Sequence, residues 1–376
     1  MNFIFLVSRY PTEKAYGVTT LNTTNELRKL GHNVEVWSNS FSGKDYFGTE
    51  IKNVRFPLTS KFDSILPSKF IFFPVLVNVN NAARLINVLM KEKPAPDSTF
   101  VVRDIIQAYI LLKYSKSYRI ILDIHHPPKR LVMKFFLRSF SKFEQITVLT
   151  ISMRNYREIT KYSRNLKIQI VPMGVSEKFF HPVRNLALEK NCLVLGFVGK
   201  ESSSGNDNGL LEFLSFCLNA SAKIDSKLTI KLVGLTQSFH TEISRLFPAN
   251  SKFKVECAEH LLHSEIPKIL ETFDVGFIPY PPTSYNKNRF PIKALEYAAA
   301  GIPILVRENS AYKDLFPVDS VHFYSSQEDL ISQLRSFESS FDSSVPYSEN
   351  AQIWARSHLY SERAARICVS VENNKV

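Results

Sequence analysis

The segment Val275-Gly276-Phe277-Ile278-Pro279-Tyr280-Pro281-Pro282, followed after seven residues by Phe290-Pro291-Ile292-Lys293-Ala294-Leu295-Glu296-Tyr297-Ala298-Ala299-Ala300-Gly301-Ile302-Pro303, decides how this chain folds. Val275–Ile278 is a short apolar run of the kind that forms a buried strand, and the prolines behind it stop the strand. Pro291 suits the first turn of a helix over 292–300, while Gly301 and Pro303 end that helix and launch a second strand over 302–306. Strand, helix, strand within about thirty residues is a βαβ unit, which requires parallel strands.

The same alternation recurs on both sides of this unit. Runs at 3–7, 34–37, 100–102, 120–124 and 146–151 are each followed by helical spacing or a turn cluster. A second set at 194–198, 228–233 and 253–255 leads into the quoted stretch, with a helical segment over 209–222. The fold class is therefore α/β, two Rossmann-like doubly wound units in tandem. Such units bind ligands in a cleft at the carboxyl ends of their strands, so the loops after strands carry the chemistry. A polar stretch from Pro182 to Asn191 divides them into domains 1–185 and 186–347. Residues 348–376 form a C-terminal helical segment, with Ile353, Trp354 and Leu359 as apolar contacts, that can pack on either domain.

Composition narrows the class. At 376 residues and 44% hydrophobic the chain supports large cores, and no repeat or low-complexity tract interrupts it. The longest apolar stretch, Phe70–Val77, is broken by Pro74 and is too short to span a bilayer. The start at Phe3–Val7 lacks the basic flank and cleavage site of a signal peptide. Four cysteines scattered without CxxC pairing suit reduced thiols, and together these features predict a cytoplasmic protein. Cys257-x2-His260-x2-His263 resembles a fragment of a metal site but has no evident fourth ligand, so no metal site is predicted. Residues 1–185 carry 28 Lys and Arg against 13 Asp and Glu, whereas the rest of the chain is slightly acidic. An anionic partner is therefore sought in the first half. No nucleic-acid signature is present, so nucleic acid is not a predicted partner.

Several loops have site-like composition. Gly17, at a helix start after the first strand, is either a turn glycine or a point of close approach to a phosphate or sugar. His125, in Asp123-Ile124-His125-His126-Pro127-Pro128, lies where a strand leaves its sheet. It is either a packed histidine or one that meets a sugar hydroxyl or moves a proton. Gly199-Lys200 at a strand end, followed by small polar residues up to Asn208-Gly209, suits a diphosphate but also reads as a surface loop, and it lacks P-loop spacing. Arg289 and Lys293 sit at a helix N-terminus, where cations oppose the helix dipole unless an anion is bound. Glu296 lies one turn further in, within reach of vicinal hydroxyls.

Taken in order, Tyr16-Gly17, Gly31-His32-x-Val34, Arg103, Asp123-x-His125, Val171-Pro172-x-Gly174-Val175, Phe197-x-Gly199, Asp274-Val275-Gly276-x-x-Pro279-Tyr280 and Pro291-x-Lys293-Ala294-Leu295-Glu296-Tyr297-x4-Gly301-x-Pro303 resemble the GT-B glycosyltransferases, specifically the retaining group of bacterial surface-polysaccharide enzymes. The resemblance implies a nucleotide-sugar donor on the C-terminal domain and a glycan acceptor on the N-terminal one. By it, Glu296 holds the donor ribose, Lys200 contacts the diphosphate, Gly17 approaches the phosphate or the transferred sugar, and His125 meets the sugar or stabilises the reacting centre. Gly199, Arg289 and Lys293 complete the expected donor site, Arg289 or Lys293 taking over a displaced basic contact. It also implies retention by same-face attack and no metal cofactor, in keeping with the lack of any Asp-x-Asp. Three departures stand out, one being Tyr16 where many members have a second Gly. Asn288 occupies a position that is acidic in many relatives, and Asn208-Gly209 replaces the usual Lys-Gly. A nucleotide-sugar epimerase of the same build and a non-catalytic assembly partner are the alternative readings.

Arg130, Lys134, Arg138 and Lys142 recur every four residues among Leu131, Val132, Phe135, Phe136, Leu137, Phe140 and Phe143. A helix there is either an interfacial helix facing anionic lipid or a core helix with a basic edge. The first reading predicts a peripheral protein on the inner membrane face with a lipid-linked acceptor.

Overall fold

The computed structural model describes residues 1–7, 10, 15–38, 43–45, 47–54, 84–128, 131–183, 191–203, 206–250, 252–259, 261–339 and 341–373. The chain forms two compact units, Met1–Met173 with Tyr360–Val376, and Gly174–Leu359.

In the first unit, the strands are β1 (Asn2–Val7), β2 (Asn33–Ser38), β3 (Gly43–Lys44), β4 (Glu50–Asn53), β5 (Thr99–Val102), β6 (Arg119–Ile124), β7 (Ile146–Thr150) and β8 (Ile168–Ile170). Their order is β3-β4-β2-β1-β5-β6-β7-β8, parallel except for the β3–β4 edge pair. Alternate residues feed two cores, because side chains in a strand point to opposite faces. Ile4, Leu6, Phe100, Val102, Ile120 and Leu122 pack with Ile106 and Leu111 of helix Ile105–Tyr114 and with Leu137 and Phe140. Phe3, Phe5, Val34, Val36, Val101 and Ile121 pack on the other side with Leu27, Ala364, Ile367 and Val371.

The second unit contains β9 (Cys192–Val198), the short hairpin β10 (Ser202–Ser203) and β11 (Asn206–Asp207), then β12 (Lys227–Val233), β13 (Phe253–Ala258), β14 (Val275–Ile278), β15 (Ile304–Arg307) and β16 (His322–Tyr324). The main sheet runs β13-β12-β9-β14-β15-β16, all parallel, which is the doubly wound 3-2-1-4-5-6 order. Small residues set its layer spacing. A Cβ on Gly196 would lie 1.9 Å from the Phe273 ring, and one on Gly276 would lie 2.5 Å from Tyr297.

The structure differs from the sequence reading at two places along the chain. The division falls at Met173/Gly174 instead of 185/186, because Val175 continues into backbone pairing with His358 and Leu359 of the second unit. Residues 348–376 are not a single segment. Helix Val345–Arg356 stays with the second unit, a break follows, and helix Tyr360–Glu372 returns to the first. Trp354 is buried beside Phe290 and Phe316, while Ile353 is exposed. The short strands β3, β4, β8 and β16, at or next to sheet edges, were also not anticipated, having too few residues to show periodicity. No helix among the described residues is long and apolar enough to cross a membrane.

Candidate functional site

Helix Ile292–Ala299 and the loop after β9 are brought together at the carboxyl end of the second sheet. Gly199 follows β9 with φ +149°, and a Cβ there would come within 2.7 Å of Lys293 Nζ. Glycine therefore permits the backbone to approach the ammonium. Lys293 Nζ donates to the Tyr280 hydroxyl and lies 4.4 Å from the centre of the Phe197 ring. Arg289 stacks on Tyr280, 4.1 Å from its ring centre, and donates through Nη1 to Asn208 Oδ1 at 3.0 Å. Among the described residues neither cation has a carboxylate partner within salt-bridge distance.

Burial and the neighbouring Arg289 hold the Lys293 ammonium below its usual range, although Tyr280 and Glu296 act to raise it. The Tyr280 phenol is lowered too: burial raises it, but Arg289 and Lys293 outweigh that. Two cations crowded at a helix N-terminus against aromatic rings form a site that an anion would relieve. Asn208 is buried and forms the bracket of this arrangement. Its amide donates to Lys200 O at 2.5 Å, its carbonyl accepts from Arg289, and Gly209 behind it starts helix Leu210–Ser221 at φ +75°. Lys200 itself is exposed, with no side-chain hydrogen bond among the described residues.

One turn along from Lys293, Glu296 is buried, with Oε1 bonded to His263 Nε2 at 2.9 Å. The His263 ring packs 5.2 Å from Phe179. His260 of the sequence-level metal fragment lies outside the described residues. Among those described, no three His, Cys, Asp or Glu side chains are gathered as a metal would require.

In the first unit, β6 ends at Asp123 and Ile124, with His125 just beyond. Asp123 is buried, and its Oδ2 accepts from Arg363 Nη2 at 2.6 Å and lies 3.0 Å from His125 Nε2. Arg363 Nη1 donates to the Val171 and Pro172 carbonyls, each at 2.8 Å. Asn155 Nδ2 donates to His125 O at 2.9 Å and so holds the His125 backbone. Burial and the cations Arg103 and Arg363 push the His125 imidazole down to about 4, despite Asp123. Burial works against the Asp123 carboxylate, yet Arg363 and His125 hold it well below the usual range. At neutral pH this pairing gives a neutral imidazole that donates its Nε2 proton to Asp123. Nδ1 is then the acceptor nitrogen, and it has no partner among the described residues.

Gly17 lies buried in the first turn of helix Ala15–Lys29. Lys134 Nζ sits over the Tyr162 ring at 4.7 Å, Arg138 donates to Tyr162 O, and Lys142 is exposed. Arg130 lies outside the described residues. Sequence reasoning did not single out Tyr280, Asn208, His263 or Arg363 for a role in the site. The Asn208-Gly209 departure was the one signal that pointed at Asn208. Arg363 lies 240 residues from its partner Asp123, so no local pattern connects them.

A doubly wound second sheet, a mostly parallel first one, and a terminal helix that returns to the first unit define the GT-B fold. Residues 216–369 match the family model described as "Glycosyl transferase-like". Among solved structures, a glycosyltransferase from Rickettsia africae is 14% identical with TM-score 0.72, over 99% of this chain and 98% of that one. Sucrose-phosphate synthase from Thermosynechococcus elongatus is 11% identical with TM-score 0.71, over 99% and 98%. HepE from Anabaena, in complex with UDP-glucose, is 12% identical with TM-score 0.66, over 99% and 100%. These likenesses show the fold. A 41-residue stretch is 42% identical to TuaH of Bacillus subtilis (strain 168), described as a glycosyltransferase of teichuronic acid biosynthesis. The stretch spans 11% of this chain and 10% of that protein.

Proposed function

We propose that this protein is a glycosyltransferase that moves a sugar from a nucleotide-sugar donor to a glycan acceptor without a metal ion and with retention. The observation that carries this reading is the Arg289–Lys293 pair, with no carboxylate partner among the described residues, at the N-terminus of helix Ile292–Ala299, facing Gly199. A diphosphate gains charge as the glycosidic bond breaks. Fixed cations and backbone amides aimed at that charge lower the barrier without reorganising during the reaction. Arg289 and Lys293 supply the positive field that a divalent ion supplies elsewhere, and exposed Lys200 is placed to add to it. Glu296, with Oε1 on His263, accepts from the vicinal hydroxyls of the ribose. Retention is written as same-face attack, in which the departing phosphate takes the acceptor's proton, so no second carboxylate is required. His125 and Gly17 serve the transferred sugar at the reacting centre.

A lipid-linked acceptor of surface polysaccharide at an anionic membrane face is the finer reading. Leu131 at 81% and Phe135 at 68% exposure, with Val132, form an apolar patch on helix Leu131–Phe140 beside Arg138. This combination favours insertion at a charged lipid surface. The glycosyl transferase-like match over 216–369 and the UDP-glucose complex of HepE also support the donor assignment.

The test is calorimetric titration of UDP, GDP, ADP and CMP without metal into the wild type and Glu296→Ala. One nucleotide should bind, and the substitution should abolish that binding. No binding by any of the four, or binding indifferent to Glu296, removes the donor site from the second unit.

A further inference from the structure

We propose that Arg363, carried by the returning C-terminal helix, is a positioning residue that acts through Asp123 to hold His125 in its working orientation and tautomer. The inference rests on the reading of His125 given above and extends it to a residue from the far end of the chain.

The geometry is specific. Arg363 is 3% exposed and spends its two terminal nitrogens on three acceptors: Asp123 Oδ2 and the carbonyls of Val171 and Pro172. Those carbonyls follow β8, so the guanidinium ties the end of the first unit's sheet to the carboxylate that faces His125. Both bonds to Asp123 fall on the same oxygen, Oδ2, shared between Arg363 and His125, while Oδ1 is buried without a partner among the described residues. The carboxylate therefore cannot rotate to satisfy one neighbour without losing the other. A buried carboxylate with no cation beside it would protonate or swing away, and His125 would lose the acceptor that selects its tautomer. A plain packing role for the helix does not need this arrangement, since Ala364, Ile367 and Val371 already supply apolar contact.

The charged and titratable groups facing His125 are Asp123 on its own strand, Arg103 beyond β5 and Arg363 on the terminal helix. Tyr16 of helix Ala15–Lys29 acts in turn on Arg103. Removing Arg363 frees Asp123 to protonate or swing away, and because that carboxylate favours the protonated imidazole more than Arg363 opposes it, His125 should titrate at lower pH.

The experiment compares wild type, Arg363→Met, Arg363→Lys and His125→Ala in the full chain. It uses the nuclear magnetic resonance titration of the His125 ring protons, together with the pH profile of kcat. Arg363→Met should lower the His125 midpoint, as the imidazolium loses its carboxylate partner, and move the acid limb of the profile downward with it. Arg363→Lys keeps the charge and should hold the midpoint near that of wild type, while kcat falls because one ammonium cannot serve all three acceptors. Should Arg363→Met fail to fold, Arg363→Lys carries the test alone, through kcat loss at an unmoved midpoint. An unmoved midpoint in folded Arg363→Met, or full kcat in Arg363→Lys, overturns the proposal. Undiminished turnover in His125→Ala instead overturns the underlying role of His125. The ring titration needs no turnover, so it separates these two failures.

Discussion

At the scale of single residues, the proposed donor site in the second unit turns on Asn208, where the resemblance leads one to expect a lysine. Asn208 cannot supply the charge of a lysine, but it brackets Arg289 and leaves it beside Lys293. A charge-assisted hydrogen bond to phosphate is worth about 1.5–3 kcal/mol. Lys293→Met should accordingly weaken nucleoside diphosphate binding about tenfold to a hundredfold, and Asn208→Leu should do the same to a smaller degree by freeing Arg289. Isothermal calorimetry reads both, and unchanged affinity in Lys293→Met would place the diphosphate elsewhere. Arg289, Lys293 and Glu296 were legible in the sequence because they lie within eight residues, at and just before the start of one helix. The pairings of His263 and Arg363 were not, because their partners lie 33 and 240 residues away in the chain.

A second residue-level prediction concerns acid. His125 and His322 are both pushed down to about 4, chiefly by burial, well below their value in an unfolded chain. Groups with lowered folded values contribute stability that is fully present above their unfolded value, near 6.5, and is lost as pH falls from there toward about 4. The melting temperature should therefore be flat above pH 7 and decline between about pH 6.5 and 4. His125→Phe or His322→Phe should shallow that decline, and a decline of equal depth in both variants would assign the acid sensitivity to other groups.

At the scale of elements, helix Leu131–Phe140 has two apolar faces. Leu137 and Phe140 are buried, whereas Leu131, Val132 and Phe135 are exposed. The sequence showed a basic repeat within a broad apolar surface but not which apolar residues the core would take. If the exposed set meets lipid, wild type should sediment with vesicles containing anionic phosphatidylglycerol and not with neutral phosphatidylcholine. Phe135→Asp should abolish that association and leave the melting temperature unchanged. Helix Leu210–Ser221 depends on Gly209, where a Cβ would stand 2.3 Å from Pro279 O at a positive φ. Gly209→Ala should cost upward of about 1 kcal/mol from backbone strain alone, with the clash in addition, as measured by denaturant unfolding. The long buried strands were readable from their apolar runs. The two- to four-residue strands at or next to sheet edges were not, since they carry too few residues to show a period.

At the scale of the whole molecule, the return of helix Tyr360–Glu372 governs the first unit. Ile367 and Val371 are fully buried there beside Phe3 and Leu27. Each such side chain is worth about 1.5–3 kcal/mol, against a typical total of about 5–15 kcal/mol for a domain. A chain ending at Leu359 should lose most of the first unit's stability. Its thermal unfolding should show that unit melting first, and unchanged melting would mean that the helix contributes little. The sequence by itself determined the α/β class, the tandem doubly wound units, the strand-end positions of the candidate loops and the cluster on helix Ile292–Ala299. Each of these is written in local periodicity, turn residues and spacing. Only the tertiary structure decided the boundary at Met173/Gly174, the division of the C-terminal segment, and the pairings of Arg363 with Asp123, His263 with Glu296 and Arg289 with Asn208. Such contacts join residues far apart in the chain, and their energies depend on burial and mutual geometry that exist only once the chain has folded.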